Sequence, residues 1–139
     1  VIACVAAGGS GSRMSPASQF CNKHLILVGK NNLMIDMPMK FLRSHGIKDV
    51  SVVTGSNHAS QIVDYIADGE KYGFKSVDYF FQPKPSGIAD VLNRIKKTQN
   101  EGVLLILGDN YFSSVQLPLL GFKDSDNASA FQYDVGSIS

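Results

Sequence analysis

Residues Val5 to Pro16 read VAAGGSGSRMSP, an apolar run that passes straight into three glycines, interleaved serines and an arginine. Glycine gives up more backbone freedom on folding than any other residue. Gly8, Gly9 and Gly11 so close together therefore weaken the local fold unless something must approach the main chain. The usual visitor is phosphate, and the arginine that follows supplies one fixed positive charge.

Outward from this turn, four apolar runs resemble buried strands: VIACVA from Val1, VSVVTG from Val50, VDYFFQ from Val77 and VLLILGDN from Val103. Amphipathic segments lie between them. LMIDMPMKFLRSHG, from Leu33, places Met34, Met37, Phe41 and Leu42 near helical spacing and stops at Gly46. Pro38 inside it predicts either a kink or a later start. HASQIVDYIADG carries Ile62, Tyr65 and Ile66 on one face and stops at Gly69. SGIADVLNRIKKTQ has Ser86 as its expected cap and repeats Ile88, Val91, Leu92 and Ile95. NASAFQYDV, from Asn127, reads as a fifth strand.

Strand and helix in alternation predict an α/β fold of three layers, Rossmann-like, with a mainly parallel sheet and helices on both faces. Ligands of such sheets sit beyond the carboxyl ends of the strands. The glycine-rich and polar residues fall there: Gly8, Gly55, Gln82 and Asp109 each follow an apolar run.

Spacing separates three kinds of phosphate loop. A P-loop needs lysine and then Ser or Thr after its last glycine, whereas Gly11 precedes Ser12 and Arg13. A dinucleotide fingerprint needs a third glycine where Met14 stands. The third arrangement lays a nucleoside triphosphate along the backbone amides of Ala7, Gly8, Gly9, Ser10, Gly11, Ser12 and Arg13. Arg13 then grips the β and γ phosphates, and Lys23 meets the α phosphate as a point charge.

The totals narrow the rest. With 139 residues, 44% of them hydrophobic, the chain is expected to form one domain. Thirteen basic against twelve acidic side chains leave a charge of +1, with no run of five like charges of the kind that marks a nucleic-acid arm or an acidic tail. Cys4 and Cys21 have neither the number nor the spacing of a disulfide scaffold or zinc site, and two free thiols suit the cytoplasm. Cys4 reads as inert packing, Cys21 lacks a partner acid and base, and His24, His45 and His58 lack ligand spacing. Met34, Met37 and Met39 read as core filling or an oligomer surface. No run approaches a membrane span, and the start at Val1 is expected to mean either that something upstream was removed or that the numbering begins inside a longer product.

AAGGSGSRMSP followed by NKHLILV resembles the signature of the sugar-1-phosphate nucleotidylyltransferases, the glucose-1-phosphate thymidylyltransferases above all. FFQPKPSGIADVL is similar to the family's base-recognising run, with Gln82, Pro83, Pro85 and Gly87 in matching order. VLLILGDNYF is similar to the strand whose aspartate, here Asp109, holds Mg²⁺ and faces the sugar. Leu27 and Asn32 stand where the family has proline and lysine. The resemblance implies a pyrimidine nucleoside triphosphate, dTTP or UTP, and a sugar 1-phosphate that attacks its α phosphorus while pyrophosphate leaves. Arg13, Lys23 and Asp109 carry the catalytic roles, Asp109 as metal ligand; Gln82, Pro85 and Gly87 join the nucleotide-binding residues. Gln82 offers both an acceptor and a donor to a pyrimidine edge.

The family's sugar-binding glutamate and lysine, and its second metal-binding aspartate, fall beyond Ser139 in the pattern, so the fold is expected to be truncated. Asp134 does not match a ligand position. Two readings stay open: a nucleotidylyltransferase-like enzyme completed by other parts, and a nucleotide-binding module without turnover. An uncovered sheet edge predicts a homo-oligomer in either case.

Overall fold

The computed structural model describes residues 2–9, 16, 19–95 and 102–110. Its sheet contains β1 (Ile2–Ala7), β4 (Asp49–Gly55), β5 (Ser76–Gln82) and β6 (Val103–Leu107), in the order β5-β4-β1-β6, with every neighbouring pair parallel. A small antiparallel hairpin, β2 (Leu27–Val28) with β3 (Asn32–Leu33), stands apart from it. The sequence reading contained no sign of this hairpin, because two-residue strands carry no periodicity.

Alternation sorts side chains between two cores. Ala3, Val5, Ala7, Val50, Val52, Leu104 and Ile106 face α1 (Asp36–Ser44) and α2 (Ala59–Ile66), which contribute Met39, Leu42, Ile62 and Ile66. Cys4 and Val53 face the other way, onto Val91 and Ile95 at α3 (Ile88–Arg94). Helices therefore cover both faces, as the α/β reading predicts. Ile62 and Ile66 are buried, each adding about 1.5–3 kcal/mol of transfer free energy. Cys4 lies fully inside, and burial pushes its thiol up to about 12, which makes it packing and not a reagent.

Several local expectations shift. The first helix begins at Asp36, so Pro38 falls in its first turn, where the missing N–H costs nothing. It ends at Ser44, and Gly46 takes φ +80 beyond it. Met39 is core, whereas Met34 and Met37 are half-buried. Ser86 does not cap α3; Gly87 occupies that position at φ 87 and ψ 179, a conformation open essentially to glycine alone. Ile88 is exposed and leaves the apolar stripe to Val91, Leu92 and Ile95. VDYFFQ is an edge strand and not a buried one: Phe81 is 50% exposed, because the helical layers cover an edge incompletely. The expected strand from Asn127 lies outside the described residues, as does Asp134.

Candidate functional site

From β1 the chain moves outward through α1 to β4 and through α2 to β5, then crosses back through α3 to β6 on the other flank of β1. The winding direction reverses between β1 and β6, so their carboxyl ends border a crevice. Gly8 and Gly9 follow β1 on one side of it, and Gly108 and Asp109 follow β6 on the other. Gly55 and Gln82 end β4 and β5 in register with each other.

The close packing of these ends explains several glycines. A Cβ on Gly55 would lie 2.5 Å from the Gly8 carbonyl oxygen. One on Gly8 would lie 2.9 Å from Gln82 Oε1, and one on Gly9 would lie 2.9 Å from Lys23 Nζ. Bare backbone at these positions admits the side chains of Gln82 and Lys23 to the turn.

Lys23 opens a single 3₁₀ turn, Lys23–Leu25, whose cap is Asn22. Its Nζ donates to Asp109 Oδ2 at 2.6 Å, joining residues far apart in sequence. Burial alone would raise the Asp109 carboxyl, but the Lys23 hydrogen bond and charge outweigh it and hold the group below the ordinary value. The Asp109 side chain is still 42% exposed, so the carboxylate is both ionised and reachable.

A buried network fixes this turn. Asn22 Oδ1 accepts from the His24 backbone N–H at 3.0 Å and lies 2.8 Å from His24 Nδ1. An amide oxygen can only accept, so Nδ1 carries the ring proton. Burial first, then the Lys23 charge, pulls His24 down to about 4, and the ring is neutral at pH 7. Gln61 of α2 holds the same stretch from outside: its Oε1 accepts from the Asn22 N–H at 2.8 Å and its Nε2 donates to the Phe20 carbonyl at 3.2 Å. Asn22 Nδ2 donates to the Asn57 carbonyl.

At the outer side of the crevice, Gln82 is buried and its Nε2 donates to Asp90 Oδ2 at 2.8 Å. Asp90 also accepts from Ser86 Oγ and Arg94 Nε, each at 2.8 Å. Arg94, Gln82 and Ser86, in that order, pull its carboxyl down to about 2. The structure thus narrows the expectation for Gln82: its donor end is committed within the protein.

Of the residues singled out in the sequence, the structure brings Ala7, Gly8, Gly9, Lys23, Gln82 and Asp109 to one end of the sheet. Gly87 reaches it through its carbonyl, 3.3 Å from Gln82 Nε2. Pro85 is exposed in the connecting loop. Ser10, Gly11, Ser12 and Arg13 lie outside the described residues. Sequence reasoning missed Asn22, Gln61 and Asp90. Asn22 carried a cap signal, and Asp90 with Arg94 has the (i, i+4) spacing of a helical ion pair. Gln61 carried none.

For a metal, Asp109 offers one ionised oxygen donor. Among the described residues no three His, Cys, Asp or Glu side chains form a cage. One exposed carboxylate suits Mg²⁺, which keeps water and phosphate ligands and needs one or two protein carboxylates.

The fold and this crevice define a doubly wound α/β protein with an anion-compatible end at its switch point. The family model described as Nucleotidyl transferase matches residues 2–131, and the chain belongs to that family. It is 32% identical over 135 residues to a glucose-1-phosphate thymidylyltransferase of Neisseria meningitidis, covering 94% of this chain and 46% of that protein. A Streptomyces griseus protein of the same name is 35% identical over 81% of this chain and 31% of its own length. Among solved structures, a protein assigned as a glucose-1-phosphate thymidylyltransferase from Bacillus anthracis, in complex with a sucrose, superposes with a TM-score of 0.71 at 34% identity. That match covers 81% of this chain and 45% of the other. The chain thus spans less than half the length of these relatives.

Proposed function

We propose that this chain binds dTTP or UTP with Mg²⁺ and serves the transfer of a nucleotidyl group to a sugar 1-phosphate. The observation that carries this reading is the meeting of Lys23 with Gly9 and Asp109 at the switch point. Backbone amides at Gly8 and Gly9 would line the phosphate tail, Lys23 would leave Asp109 for the α phosphate, and Gln82 would face the base. Arg13 is proposed for the departing pyrophosphate. Mg²⁺, held by Asp109 and the phosphates, would supply charge neutralisation at the reacting phosphoryl group. The residues themselves position and shield charge, and no covalent intermediate with the protein is required. The names of the relatives support thymidine over uridine.

The test is pyrophosphate release from dTTP or UTP with glucose 1-phosphate and Mg²⁺, beside nucleotide binding by calorimetry. We expect Lys23→Ala and Arg13→Ala each to weaken nucleotide binding at least tenfold, the scale of one lost charge-assisted contact. Unchanged binding in both would overturn the site. The second reading is a module that binds nucleotide without turnover. Tight binding without pyrophosphate release would establish it. Cytoplasmic residence and a homo-oligomer belong to the same proposal, the latter checked by sedimentation; no helix among the described residues is long and apolar enough to cross a membrane.

A further inference from the structure

We propose that Asp90 is a specificity-determining residue: by holding the Gln82 amide nitrogen it leaves Oε1 facing the crevice, which selects a base bearing an N–H donor, thymine or uracil, against cytosine. The inference rests on the nucleotide reading above and deepens it.

The polarity of the Gln82 amide follows from its surroundings. Its Nε2 faces Asp90 Oδ2 at 2.8 Å, the Gly87 carbonyl at 3.3 Å and Ser86 Oγ at 3.4 Å. A carboxylate and a carbonyl accept and never donate. The Ser86 proton is itself spent on Asp90, so Ser86 presents a lone pair to Gln82. An inverted amide would set oxygen against all three acceptors, and burial of Gln82 to 5% exposure leaves no water to relieve it.

Asp90 cannot swing away to permit the inversion. Arg94 Nε binds it at 2.8 Å while Arg94 Nη1 donates to the Phe81 carbonyl at 2.8 Å, which moors the carboxylate to the strand that carries Gln82. At the other end of the amide, Oε1 stands 2.9 Å from the point a Cβ on Gly8 would occupy, and no described residue donates to it. With Nε2 committed to Asp90, Oε1 is the end of the amide left beside the glycine turn for an incoming N–H.

Thymine and uracil carry N3–H between two carbonyls. Cytosine carries a lone pair at N3, which would meet Oε1 as acceptor against acceptor. The loss of one buried hydrogen bond predicts roughly tenfold weaker binding, or more, for dCTP than for dTTP.

The experiment compares dTTP, dCTP and N3-methyl-dTTP binding to the whole chain with Mg²⁺, in the natural sequence and in Asp90→Ala. In the natural sequence dTTP is expected to bind at least tenfold tighter than either analogue. In Asp90→Ala the amide is free to turn, and the dTTP to dCTP ratio is expected to fall to within about threefold, by the same measure. A purely structural role for Asp90 would weaken all three nucleotides alike; an unchanged ratio in a folded Asp90→Ala overturns the inference while leaving the nucleotide reading intact. Equal affinity for dTTP and N3-methyl-dTTP overturns it without recourse to any variant, should Asp90→Ala not fold. Absence of binding by every nucleotide overturns both.

Discussion

Asp36 and Asp109 are both aspartates near the ends of regular elements, yet their surroundings assign them opposite duties. Asp36, in the first turn of α1, is buried and accepts from the Tyr65 hydroxyl at 3.0 Å, the Tyr72 hydroxyl at 2.5 Å and the Leu33 N–H at 2.7 Å. Those donors join the hairpin, α1, α2 and the 3₁₀ turn Glu70–Tyr72 that follows α2 at a single point. Burial, then the bond to Asp36, drives the Tyr72 hydroxyl far above its ordinary range, so it remains a donor. Asp109 has one cation bonded to it and a side chain 42% exposed to solvent. The lesson is that a carboxyl saturated by neutral donors holds a fold together, whereas one balanced by a single ammonium and partly open to solvent can exchange its partner.

The sharpest way to break this contrast is Asp36→Ala. It strands three part-buried donors and is expected to cost on the order of 4 kcal/mol in urea denaturation. A loss under about 1 kcal/mol would show that the cluster is incidental.

Next in size is acid sensitivity. The unfolded His24 imidazole takes up a proton below 6.5, the folded one near 4, so its contribution is complete above 6.5 and is lost as pH falls toward 4. The loss is on the order of 3 kcal/mol, to be read from urea melts across that window in chelator. His24→Gln should flatten this slope.

Smaller again is Gln61→Leu, which releases the Asn22 N–H and the Phe20 carbonyl. About 1–2 kcal/mol of stability is expected to go, with faster hydrogen exchange at the Asn22 amide. If Gln61 acts by positioning Lys23, its effect on nucleotide binding disappears in a Lys23→Ala background.

The smallest effect belongs to the pair itself. Lys23→Met and Asp109→Asn should each change stability by less than about 1 kcal/mol, as exposed ion pairs do. A large loss in either would make the pair structural and erase the contrast with Asp36.

Legibility followed the range of the interaction. The strand ends were readable because apolar runs stop where polar residues begin, and so Gly8, Gly55, Gln82 and Asp109 could be placed at one end of a parallel sheet. The edge position of VDYFFQ was not readable, since a Phe-rich run looks the same inside a sheet and at its margin. The glycines were legible as a demand for bare backbone. That the demand came partly from Gln82 and Lys23 was not, because a glycine does not disclose what approaches it.

By itself the sequence determined the alternation of strands and helices, their opposed faces and the polar residues that close each strand. These rest on neighbours a few positions apart, where periodicity and turn chemistry act. Tertiary structure alone decided the strand order, the meeting of Lys23 with Asp109, the grip of Gln61 on the Asn22 turn and the direction of the Gln82 amide. Each joins segments that only packing brings within hydrogen-bond reach, and such proximity leaves no local periodicity in the chain.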